Sequence, residues 1–182
     1  MANLQILLRQ HVGAPCAPVV KAGDRVEKGT LIATPTGLGA NIFSSAYGVV
    51  EDVLEDRIII KPDEEQKDEY VKIPEGSKLD MVKAAGVVGM GGAGFPTHVK
   101  LAPKEPDKID HILVNGAECE PYITSDYRRM MEEPESIVGG LEVILKAFPK
   151  AVGCICIEDQ IYVHEGVRIL GLGGSMRYRP GI

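Results

Sequence analysis

Over the first 75 residues the apolar positions come in short runs broken by glycine, proline and charge, a pattern that predicts β structure. Residues 12–20 contain Gly13, Pro15 and Pro18, so turns interrupt any strand there. Residues 18–33 give two short strands around turns at Gly23-Asp24 and Lys28-Gly29. Residues 45–53 and 57–61 supply further strands, and the charged run 63–69 reads as a solvated hairpin tip. Tyr70-Val71-Lys72-Ile73 would return the chain, and Pro74-Glu75-Gly76 makes a boundary.

The period changes after that boundary. Ser77-Lys78-Leu79-Asp80 is a capping-box pattern, and Leu79, Val82 and Ala85 at helical spacing make a buried stripe. His111-Ile112-Leu113-Val114-Asn115 is a short apolar strand followed by the acidic turn Glu118-Cys119-Glu120-Pro121. Ser125 or Asp126 can cap a helix through Met131; Thr124 and Asp126 are read as caps rather than ligands. Pro134 suits the first turn of a second helix, running to about Phe148 with Ile137, Leu141, Ile144 and Leu145 inward. Residues 151–157 form another buried strand, and the β–loop–α–β order suggests a Rossmann-like parallel sheet.

Between these elements lies Gly89-Met90-Gly91-Gly92-Ala93-Gly94-Phe95-Pro96-Thr97-His98-Val99-Lys100. Four glycines in six residues free the backbone for positive φ and let a ligand lie against its amides. Phe95 offers a flat face, Pro96 fixes a helix entry, and Lys100 places a cation one turn on. Gly89, Gly91 and Gly94 formally satisfy the dinucleotide fingerprint, with Glu118 24 residues after the last of them. That fingerprint needs a preceding strand and a long following helix. Here residues 77–85 read as a helix, and Pro96 and Pro103 leave room only for a short one. No Gly-Lys-Ser/Thr closes the glycines, so the loop is not a P-loop. A ligand-free glycine turn stays open as the plain alternative, as do a helix-end charge for Lys100 and a solvated turn for Glu118 and Glu120.

The run Gly89–Lys100, followed by Asn115-Gly116-Ala117-Glu118-Cys119-Glu120-Pro121-Tyr122-Ile123-Thr124, resembles the flavin-binding half-domain of the Rnf complex C subunit. It is similar also to the NADH-binding flavoprotein subunit of complex I, to cobalamin reductase and to the proline reductase-associated electron-transfer protein. Residues 18–33 resemble the barrel-sandwich hybrid of biotinyl and lipoyl carriers, which recurs at the Rnf C N-terminus, where His11-Val12-Gly13-Ala14-Pro15 also fits. The tip region 36–41 has no lysine, which argues against a swinging arm.

The fold expected is therefore α/β plus β: a barrel-sandwich hybrid over 1–75, then the first part of a Rossmann-like FMN- and NADH-binding domain over 76–159. The resemblance stops at Asp159 and leaves an unmatched tail over 160–182, in which Gly171-Leu172-Gly173-Gly174 reads as an ordinary turn. The full-length family would add the rest of the flavin domain, a ubiquitin-like domain and two ferredoxin-type clusters. The chain thus reads as a truncated product, a fragment, or a sequence that lost its frame.

The resemblance implies that Gly89, Gly91 and Gly92 line FMN, with Lys100 near its ring or phosphate end, and that Asn115, Glu118 and Cys119 touch the flavin. Phe95 and Glu120 align with residues that hold NADH. Ala117 replaces an acid of complex I, so hydrogen bonding to the flavin differs there. Implied partners are NADH and the other subunits of an electron-transfer or reductase complex. Two further readings remain: a non-catalytic assembly or docking module, and an inactive fragment.

Composition narrows the classes. At 182 residues the chain has 45% apolar and 25% charged residues, as in an ordinary globular protein. A net charge of −6 with no basic cluster, no tryptophan and 5% aromatics argues against nucleic acid. No segment reaches the roughly 18 apolar residues that span a bilayer, and residues 1–9 do not form a signal peptide. The expectation is a cytoplasmic chain, peripheral to the inner face of the membrane through partner subunits. Cys16, Cys119, Cys154 and Cys156 lack any Cys-x-x-Cys spacing, so no metal or cluster ligands are expected, and Cys154 and Cys156 read as small buried residues. His98 and His111 lack metal-like spacing and read as surface or packing residues.

Overall fold

The computed structural model describes residues 2–90, 92–118, 120, 122–157 and the backbone of 168–171. Contacts divide the chain into two units, residues 1–102 and 103–182. This division follows packing, whereas the sequence boundary at 75/76 follows likeness; packing places the glycine loop with the N-terminal strands.

The first unit holds seven short strands: β1 (Leu4–Leu7), β2 (Cys16–Pro18), β3 (Arg25–Val26), β4 (Leu31–Pro35), β5 (Ile42–Phe43), β6 (Gly48–Val53) and β7 (Arg57–Pro62). They form two antiparallel sheets, ordered β1-β7-β6-β3 and β2-β4-β5, neither closed into a barrel. Ile58 and Ile60 of β7 alternate with half-buried Ile59. The two join Leu8, Val26, Ile32, Ala33 and Val50 in one core. Each such side chain contributes on the order of 1.5–3 kcal/mol by leaving water.

Two features of this unit differ from expectation. Strand β1 is an addition to the predicted elements: its run is too short to stand out, and pairing with β7 is what makes it a strand. The return strand expected at 70–73 does not form. Segment 63–73 has no alternating apolar face, and side chains anchor it where a ladder otherwise would. Gln66 Oε1 accepts from the Tyr47 amide at 2.9 Å, the Tyr47 hydroxyl donates to the Glu69 carbonyl at 3.0 Å, and the Val71 amide donates to the Lys28 carbonyl at 2.8 Å.

Helix α1 (Lys78–Ala84) begins as expected: the Ser77 hydroxyl accepts from the Asp80 amide at 3.2 Å and donates to the Asp80 carboxylate at 2.6 Å. Its apolar stripe is half-buried rather than buried. The glycine loop follows, and then α2 (Thr97–Lys100), a single turn, as the flanking prolines required.

The second unit contains a 3-10 turn (Pro106–Lys108), β8 (His111–Asn115), α3 (Ser125–Glu132), α4 (Pro134–Leu145), β9 (Val152–Ile157) and β10 (Arg168–Gly171). The three strands form a parallel sheet in the order β10-β9-β8. Parallel neighbours require a crossover, and α3 and α4 supply it between β8 and β9. Val138 and Leu141 of α4 pack with Ile155 and Ile157, backed by Ile112, Val114, Met130, Ile137 and Leu145. Cys154 and Cys156 are buried, as their small apolar character suggested. Strand β10 lies within the stretch read as an unmatched tail and ends at Gly171, while 172–174 lie outside the described residues.

Candidate functional site

The glycine loop is closed at its neck by backbone bonds. The Gly89 amide donates to the Phe95 carbonyl at 3.0 Å, and the Thr97 amide donates to the Val87 carbonyl at 2.9 Å. An isolated bridge pairs Val88 with Pro96. The loop also docks on the connection between β1 and β2, and the end of α1 before it is held by Asn41. The Val12 amide donates to the Ala93 carbonyl at 3.0 Å, and Asn41 Nδ2 donates to the Ala84 carbonyl at 3.3 Å.

Among the described loop glycines only Gly94 takes a left-handed conformation, at φ +64. It packs against the Gln10 carbonyl and His11 Cα, which an added Cβ would approach to 3.0 and 3.1 Å. His11 is itself buried: its Nδ1 lies 3.0 Å from the Val12 carbonyl oxygen, and its Nε2 lies 3.2 Å from both the amide nitrogen and the carbonyl oxygen of Ala40. Cys16 Sγ sits 3.3 Å from the same Nε2, and burial pushes its thiol above the ordinary value.

Gly92 differs in kind. Its φ is not left-handed, and the position of an added Cβ meets no atom within 4 Å. The amides of Met90, Gly92, Ala93 and Gly94 donate no hydrogen bond to any described residue. These four residues line a cleft of about 480 Å³ together with Arg9, Gln10 and His11. Met90, 96% exposed, stands at its rim. Gly91 is outside the described residues.

Phe95 is half-buried and outside the cleft lining; Lys100 is exposed at the end of α2 with no ion pair among the described residues. His98 Nδ1 is buried without a hydrogen-bond partner among the described residues. Burial, with Lys83 adding, holds the imidazole below its ordinary value. The unfolded chain therefore binds this proton more readily than the folded one. Stability from His98 is complete above pH 6.5, the ordinary value, and falls as pH drops from there toward the lower folded value. In thermal melts from pH 7.5 to 5, His98→Gln should flatten part of the acid-side loss of Tm; an unchanged slope would refute this.

In the second unit, Asn115 Oδ1 accepts from the Ala117 amide at 3.1 Å, which folds the turn after β8. Glu118 Oε1 accepts from the Tyr127 amide at 2.9 Å, and Oε2 lies 3.5 Å from the Ser125 hydroxyl. Its carboxylate thus caps α3, where Thr124 makes no side-chain cap bond, and its charge suits that helix end. Glu120 is exposed, and Tyr122 follows at φ +68, fully exposed. Cys119 lies outside the described residues. No group of three metal-ligating side chains occurs among the described residues, and no described helix is long and apolar enough to cross a membrane.

Residues 1–73 match the family model described as the RnfC barrel sandwich hybrid domain, and residues 82–165 match the Nuo51 FMN-binding domain. The chain is 42% identical to the C subunit of the proton-translocating ferredoxin:NAD(+) oxidoreductase complex of Clostridium ljungdahlii, over 97% of this chain and 44% of that protein. The chain matches the N-terminal portion of the Rnf complex C-subunit family. It is 40% identical to the C subunit of the Na(+)-translocating ferredoxin:NAD(+) oxidoreductase complex of Acetobacterium woodii, over 82% of this chain and 38% of that protein. With the C subunit of the ion-translocating oxidoreductase complex of Rhodobacter capsulatus the identity is 39%, over 87% and 34%. The chain spans less than half the length of these Rnf relatives. The FMN-binding match ends at Glu165, six residues beyond Asp159, and so takes in the start of the stretch expected to be unmatched.

Proposed function

We propose that the chain forms the flavin- and nucleotide-binding part of an electron-transfer subunit, taking electrons from NADH through FMN toward iron–sulfur clusters and partner subunits. The observation that carries this reading is Gly92. A turn without left-handed φ has no need of glycine there, and no neighbour fills the space a Cβ would take. A ligand lying on the backbone supplies the missing reason. The unclaimed amides of Met90, Gly92, Ala93 and Gly94 fit the oxygens of a nucleotide, so the residues present suit the group.

FMN when bound accepts hydride and releases single electrons; the protein positions it and sets the local charge. Within this reading Gly91 and Gly92 leave room for the flavin, while Gly89 serves chiefly to close the neck, since its amide is taken by Phe95. Lys100 brings a cation to the ring or phosphate end. Asn115 and Cys119 contact the flavin. Asn115 Nδ2, which has no described partner, is the free donor of that turn, and Glu118 acts by shaping the turn it caps. Phe95 and Glu120 hold NADH, by stacking and by accepting ribose hydroxyls. The second unit's sheet is the start of a Rossmann-like domain. The N-terminal segment, with no lysine at 36–41, seats the loop and carries no swinging group. Such a chain would sit at the cytoplasmic face of a membrane through its partners.

Titration of FMN with the 182-residue chain, followed by flavin fluorescence, tests the reading. Saturable quenching is expected. Gly92→Val should weaken it at least about tenfold, the effect of losing one good charged hydrogen bond or more, with Tm little changed because the added Cβ has open space around it. No quenching by folded wild-type protein, or equal quenching by the variant, would sink the reading.

A further inference from the structure

The cleft beside the glycine loop has lining residues that the flavin-binding match does not include. Arg9, Gln10 and His11 come from the connection between β1 and β2, outside residues 82–165. Of the described arginines, Arg25, Arg57, Arg128 and Arg129 each pair with a carboxylate. Arg9 makes no ion pair or side-chain hydrogen bond with any described residue. No acidic side chain lines the cleft among the described residues.

Arg9 is also held in place from both sides. Leu8, 2% exposed, is pinned by its amide to the Asp56 carbonyl at 2.8 Å and by its carbonyl to the Cys16 amide at 2.8 Å. His11, two residues on, is buried and bonded to Ala40. An arginine on a fixed backbone, lining one cleft with four residues whose amides are unclaimed and with no described counter-charge there, suits a phosphate: a guanidinium fork matches two phosphate oxygens, and amides can take the rest.

We infer that Arg9 binds the phosphate of a nucleotide seated on the glycine loop, so that the connection between β1 and β2 contributes a ligand group of its own. The inference rests on the flavin reading above. The phosphate belongs either to FMN or to the pyrophosphate of NADH, and the two give different results.

The test uses the full chain and the variants Arg9→Ala and Arg9→Lys, titrated with FMN, riboflavin and NADH, with melting temperatures taken in parallel. Arg9 is exposed, so both variants should melt with the wild type. If FMN supplies the phosphate, wild-type protein prefers FMN to riboflavin. Arg9→Ala then weakens FMN about ten- to hundredfold, as expected for a charged hydrogen-bonded pair, and leaves riboflavin unchanged. Arg9→Lys recovers part of the loss. If the pyrophosphate is the ligand, the same loss appears with NADH and not with FMN. Wild-type flavin binding with equal FMN and NADH affinities in Arg9→Ala overturns the Arg9 assignment alone. Equal weakening of FMN and riboflavin overturns it too, because riboflavin has no phosphate. A wild-type chain that binds no flavin overturns the underlying reading and this inference together.

Discussion

Replacing Gly86 by valine is expected to lower stability by roughly 2–6 kcal/mol, combining backbone strain with a backbone collision. Gly86 sits at φ +66 between α1 and the glycine loop, a conformation that β-branched residues avoid. A Cβ there would lie 2.3 Å from the Asn41 carbonyl oxygen and 3.0 Å from the Phe43 ring, so main chain on one side or the other must move. Asn41 is also the residue whose amide holds the end of α1. The substitution should therefore lower Tm and loosen the loop, weakening flavin quenching indirectly. Gly92→Val, the same chemical change six residues on, should spare Tm. Thermal melts of the two variants side by side make the comparison; equal Tm values would refute the strain argument.

Leu141→Ala should cost about 2–5 kcal/mol, the usual range for truncating a buried leucine. Leu141 is 1% exposed and covers β9 in the core of the second unit. Gly153 lies directly beneath it: a Cβ on Gly153 would come within 2.8 Å of Leu141 Cδ2 and 2.9 Å of Leu145 Cδ1. Gly153→Ala alone should thus destabilise by about 1–3 kcal/mol through overpacking. Together the two changes should destabilise less than their sum, since the smaller side chain at 141 makes room for the methyl at 153. Urea unfolding of the two single variants and the double variant measures this coupling. Simple additivity would show that the two sites do not share one packed volume.

Elements with a strong local signal are legible in the sequence. The apolar run 111–115, the apolar run ending at Ile157 and the proline opening α4 each act within a few residues, and the structure places β8, β9 and α4 accordingly. The short helix after the loop is legible for the same reason, since Pro96 and Pro103 bracket it. Contacts between distant segments are not. Nothing local to Gly94 announces that it rests on Gln10 and His11, or that Val12 bonds to Ala93. The engagement of Glu118 is hidden likewise. An acid in a turn reads the same whether it faces a ligand or caps a helix nine residues on, and only the fold brings the Tyr127 amide to it. Segment 63–73 misleads because its charges are legible and its anchoring side chains, Tyr47 and Gln66, are not.

The docking of the glycine loop on the N-terminal segment bears on how such a protein can be cut and recombined. A junction at 75/76 would respect sequence likeness and yet leave Gly94 without the surface it rests on and Ala93 without its donor. The inheritable module and the mechanical module differ by the stretch 76–102. A chimaera that exchanges residues 1–75 therefore exchanges part of the cleft lining as well, and the new segment must bring a matching bed for the loop.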